Sequence, residues 1–181
     1  MSFTAQQKRV RAISRDKSGV ALIEFAMVFP ILITMYLGGF QLMDAVSVYR
    51  KVSTVTRSMA DLTTQVSSLS ESEVQTYLDA SAQIMSPAPT SRGTFRVSMI
   101  KVAADGTTTV LWSRSKNGTQ LTKNATYVLP ASVKQANVNL IVCDVTYNYH
   151  PLAFFGLMGD IPFTDQVFML PRNSTSVDLK S

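Results

Sequence analysis

Few side chains in this 181-residue chain have the type and spacing to do chemistry. His150 is the only histidine and Cys143 the only cysteine, so neither a Cys/His zinc site nor an intrachain disulfide can be assembled. No G-x-S-x-G, Walker or G-x-G-x-x-G pattern occurs. Asp105-Gly106 reads as a turn rather than a metal loop, and Cys143, inside an apolar alternating run, reads as a small buried hydrophobe. The residues therefore predict no enzyme, no metal and no cofactor. One ionisable group stands apart. Glu24 is the single charge between Val20 and Phe40, where a carboxylate is costly unless it finds a positive partner.

The element that carries Glu24 is long. At about 1.5 Å per residue, Val20 to Phe40 makes roughly 30 Å of helix, the thickness of a bilayer's hydrocarbon core. Before it, Lys8, Arg9, Arg11, Arg15 and Lys17 face Asp16 alone, so the leader carries +4 of the net charge of +5. Basic character confined to one flank predicts a cytoplasmic N-terminus and an exported C-terminal part, and removes the case for nucleic acid as a partner. The apolar run exceeds a signal-peptide core, and no small-x-small site follows it, which argues against ordinary signal-peptidase removal.

Beyond Phe40 the helical pattern continues. Ala45, Val48, Val52, Val55, Met59, Leu62 and Val66 recur at alternating spacings of three and four, with no Gly or Pro before Val66. This predicts one helix of about 70 Å from Val20 to Val66, apolar all round to residue 40 and amphipathic from 41 to 66. Pro30 should kink it and free the Ala26 carbonyl, and Gly38-Gly39 is a second soft point. The stripe is expected to cover the protein's own sheet, since it lacks the charge pairs of a zipper.

Ser70-x-x-Glu73 has capping-box spacing, with Leu69 and Val74 as the staple. The helix it opens should bury Val74, Leu78, Ala82 and Met85, and end at Ser86-Pro87. Strands are expected over Phe95 to Val102 and Thr108 to Trp112, joined at Asp105-Gly106, over Val138 to Tyr149, and over Gln166 to Leu170. In Val138 to Tyr149 the odd positions are apolar throughout, while the even ones pass from Val138, Leu140 and Val142 to Asp144, Thr146 and Asn148. That strand should be central, covered on both faces at its start and on one at its end. Residues 150–163 read as an apolar turn-rich loop, either folded over the core or exposed as a contact. The fold class is α+β: a leader (1–19), a membrane helix (20–40), its amphipathic continuation (41–66), an exported α+β domain with a small antiparallel sheet (67–173) and a flexible tail (174–181).

The run Arg15-Asp16-Lys17-Ser18-Gly19-Val20-Ala21-Leu22-Ile23-Glu24-Phe25-Ala26, followed by Pro30 inside the helix, resembles the opening of TadE/TadG-type proteins of the tight-adherence (Tad, or Flp) pilus system. The likeness covers residues 15 to about 66 well. Asp144 to Pro151 and Leu170-Pro171-Arg172 agree more loosely with the family's last strands. The resemblance implies a processing site at Gly19 and Val20, cut by a prepilin peptidase on the cytoplasmic side, and subunit docking through Glu24 and Phe25. The partners it implies are other pilin-like subunits, the inner-membrane assembly platform and membrane lipid. Fibre-forming Flp pilins are very short, so about 115 residues beyond the long helix favour a minor pilin or pseudopilin over the main subunit. The rival is an uncleaved, single-pass anchored periplasmic domain that binds a partner and enters no filament.

Overall fold

The computed structural model describes residues 18–151 and 159–180. The long helix, α1, spans Ser18–Thr64 and contains Pro30 without a break in the helical assignment. The chain divides into two compact units, one up to Met43 and one from Asp44 onward. In the first, α1 has exposed apolar side chains on all sides, Leu22, Met27 and Met35 among them. That pattern suits lipid, and this is the one helix among the described residues long and apolar enough to cross a membrane.

In the second unit the order is α1 residues from Asp44, β1 (Ser68–Ser70), α2 (Glu71–Ala82), β2 (Gly93–Val102), β3 (Thr108–Lys116), β4 (Val138–Tyr149), β5 (Ile161–Met169) and β6 (Asp178–Lys180). Four strands form an antiparallel sheet in the order β3-β2-β4-β5, and β1 pairs with β6 in a short parallel ladder. The α+β class with a further helix and an antiparallel sheet is as the sequence predicts, and β4 lies inside the sheet with the expected boundaries.

The two faces of β4 bury differently. Ile141, Cys143, Val145, Tyr147 and Tyr149 join Val52, Val55 and Met59 of α1 and Val74 and Leu78 of α2 in one core. On the other face Leu140 and Val142 meet Ile100, Val102, Val110 and Leu129 in a second, smaller core. Where the even positions turn polar, Asp144 instead accepts two bonds from Arg96, at 3.1 and 3.0 Å, and one from Gln166. A half-buried carboxylate is tolerated there because its lone pairs are occupied.

The hairpin closes as its residues dictate. Asp105 accepts from the Thr107 backbone N–H at 2.8 Å, and Gly106 takes φ of 80°, which a residue without Cβ adopts at no steric cost. The capping box of α2 also forms: the Ser70 hydroxyl accepts from the Glu73 N–H at 3.3 Å, and Glu73 accepts from the Ser70 N–H at 2.7 Å. The Ser70 N–H and, at 2.8 Å, the Ser70 hydroxyl both donate to the Glu73 carboxyl and hold it below its usual range. Ser70→Ala should cost about 1 kcal/mol and lower the melting temperature by roughly 3 °C. Thermal unfolding of the full chain in detergent measures this; an unchanged melting temperature would mean that the β1–β6 ladder alone sets the end of the helix.

Four expectations need correction. The buried stripe of α1 drifts: Ala60 and Thr63 take the core side while Leu62 is only half-buried, because 3.6 residues per turn rotates the face away from a strict three-four pattern. The compact unit starts at Asp44 and not near residue 67, since that buried face belongs to its core. The strand expected over Gln166 to Leu170 is β5, which starts at Ile161 and ends at Met169, so part of the expected 150–163 loop is sheet; Leu152 to Met158 lie outside the described residues. Residues 174–180 are no flexible tail. Val177 is buried, its carbonyl accepts from the Trp112 indole N–H at 2.7 Å, and Asp178 donates its N–H to the Ser67 carbonyl at 3.1 Å before β6 joins β1.

Candidate functional site

The residues singled out by the sequence fall on the first turns of α1. Gly19 is helical, and a Cβ added there would meet nothing within 4 Å, so its lack of a side chain serves no packing need in the fold. Val20 follows with its side chain 53% exposed. Glu24 is exposed one turn further on and has no ion pair among the described residues. Phe25 is exposed and lies against Phe29, with ring centroids 5.4 Å apart. Pro30 has no N–H to give the Ala26 carbonyl, while its own carbonyl accepts from the Thr34 hydroxyl at 2.7 Å. Gly19, Val20, Glu24 and Phe25 thus share two turns of one helix whose apolar side chains are uncovered. An apolar surface of this kind with one carboxylate can insert into lipid or pack against like helices.

Cys143 is fully buried on the helix-facing side of β4, and burial pushes its thiol up, so it stays protonated and inert. The His150 Nδ1 lies 2.7 Å from the Asp160 carboxylate, and no group of three or more potential metal-binding side chains occurs among the described residues. Sequence reasoning missed one feature. A cavity of about 490 Å³ lies between the Asp44–Lys51 stretch of α1, the Pro87–Arg92 segment and the end of β4. Asp44 there accepts from the Tyr149 hydroxyl at 2.8 Å, across 105 positions of sequence, and no local pattern announces such a contact.

A long apolar helix, the one such helix among the described residues, leading into an antiparallel sheet covered by helices, fits a membrane-anchored α+β protein. Residues 19–61 match the family model described as TadE-like protein, so that segment is similar to that family. No curated protein and no solved structure matches the chain.

Proposed function

We propose that this chain is a minor pilin or pseudopilin that takes part in assembly or initiation of a Tad-type adhesive pilus at the bacterial inner membrane. The observation that carries the reading is that the TadE-like match begins at Gly19 and covers Glu24, Phe25 and Pro30 on one uncovered apolar helix. The leader stays in the cytoplasm, α1 anchors the chain, and the domain from Asp44 faces the periplasm, in line with the basic flank. A prepilin peptidase cuts between Gly19 and Val20. Other pilin-like subunits and the assembly platform then take up the apolar surface, with Glu24 and Phe25 as the docking pair and Pro30 as a bend that lets helices accommodate one another.

N-terminal sequencing or intact mass of the membrane-fraction protein tests processing directly, and a chain starting at Val20 is expected. Because a Cβ at Gly19 meets nothing in the fold, Gly19→Val changes the peptidase substrate alone and should accumulate uncut chain. Recovery of residues 1–19 on the wild-type protein, in cells with an active peptidase, would instead establish an uncleaved anchor carrying an interaction domain outside the filament.

A further inference from the structure

We propose that Asn117-Gly118 is a deamidation site that the native fold holds shut and whose product the fold cannot take back. It is the one Asn-Gly pair in the sequence. Glycine carries no side chain to hinder its backbone nitrogen, so that nitrogen reaches the preceding asparagine's side-chain carbonyl more easily than in any other Asn-x pair. The other two asparagines with positive φ, Asn124 and Asn137, precede Ala125 and Val138, whose Cβ atoms stand in the way.

The fold itself demands both residues. Asn117 follows β3 with φ of 55°, a left-handed conformation that asparagine tolerates better than most residues with a side chain. Its side-chain amide has two N–H donors and uses them on backbone, donating to the Thr90 carbonyl at 3.0 Å and the Gly93 carbonyl at 3.1 Å. Its own carbonyl accepts from the Thr94 hydroxyl at 3.2 Å. A Cβ on Gly118 would collide with the Thr94 γ-methyl, whose rotamer that hydroxyl bond fixes, so position 118 calls for glycine. Together these bonds clamp the end of β3 to the Thr90–Arg92 turn and to the first residues of β2.

The reaction needs only water. The Gly118 nitrogen gives up its proton and bonds to the Asn117 Cγ, the Cγ–Nδ2 bond breaks, and ammonia leaves with the proton. Water then opens the cyclic imide at either carbonyl, giving aspartate or isoaspartate. In the folded chain the amide must first leave both carbonyls, so the step waits on local opening. Afterwards the Thr90 and Gly93 carbonyls would face a carboxylate, which at neutral pH has no proton to donate. Acceptors opposed to acceptors are left unsatisfied, and isoaspartate also lengthens the main chain beside Thr94, where there is no room. The turn therefore stays undocked once the amide is lost.

The test is peptide mapping by mass spectrometry of the full chain in detergent, incubated at mildly alkaline pH with and without denaturant. Deamidation should appear first at Asn117, and at least roughly tenfold faster in denaturant than in the folded chain. Asn117→Gly keeps the backbone conformation and deletes the donors, and should lower the melting temperature by roughly 3 °C; Asn117→Asp, the direct product, should lower it by about twice as much. Asn124→Asp, a charge at another positive φ, should match wild type. Equal rates in the folded and unfolded chain, or deamidation that begins at another asparagine, would overturn the proposal. An Asn117→Asp chain as stable as wild type would also overturn it, because the product would then fit the clamp.

Discussion

A strain carrying Glu24→Gln at native expression should insert and process the protein normally but lose pilus assembly, or co-purification with other pilin-like subunits, by about tenfold or more. Glu24 is exposed among exposed apolar side chains and has no ion pair among the described residues. In a lone subunit, a carboxylate about 6 Å of helical rise from residue 20 reaches the headgroup level and costs little. Inside a bundle of such helices the same group is surrounded by hydrocarbon, where an unpaired charge costs several kcal/mol. Under the proposed cleavage after Gly19, the fitting partner would be the Val20 ammonium of a neighbouring subunit. A pairing of that kind fixes the stagger between helices, so its loss weakens docking more than it weakens the subunit. Gln keeps the size and hydrogen-bonding capacity and removes only the charge. Electron microscopy of surface pili and pull-down of tagged subunits measure the effect. Normal piliation would reduce Glu24 to a headgroup-level residue.

Val55→Asp should unfold the domain. Val55 is 0% exposed, on the side of α1 that meets Val52, Met59 and the helix-facing residues of β2 and β4. A carboxylate there lacks any positive partner, and desolvating it costs several kcal/mol, a large share of the roughly 5–15 kcal/mol that holds a domain together. Leu62→Asp serves as the contrast. Its position is half-buried at the edge of the stripe, so its charge reaches water and the melting temperature should fall by only a few degrees. Near-ultraviolet circular dichroism of the full chain in detergent follows the loss of tertiary packing through Trp112, which lies in this core. Retention of the wild-type signal and melting temperature in Val55→Asp would mean that α1 does not cover the sheet.

What the amino-acid sequence determined by itself was whatever neighbouring residues settle among themselves. The apolar run and its flanking charge define the membrane segment, and Ser70 with Glu73 starts α2. Asp105-Gly106 turns the hairpin, and the alternation in Val138 to Tyr149 tells which half of β4 is covered twice. Each is a signal of period or spacing within about a dozen residues, and each forms because the backbone satisfies itself locally. The candidate docking segment was legible for the same reason, since Gly19, Glu24 and Phe25 lie on consecutive turns. Tertiary structure decided the rest. Ala60 and Thr63 replace Leu62 on the core side because helix geometry outweighs a strict apolar count. Val177 and Leu179 are too short an alternation to announce a strand, and the Trp112 indole and the β1 edge give the last segment a place. The cavity beside Asp44 escaped notice because its walls come from α1, the Pro87–Arg92 segment and β4. Nothing in the sequence near Asp44 could reveal that its partner is Tyr149, because contacts closed over about a hundred residues leave no periodic trace in either strand or helix.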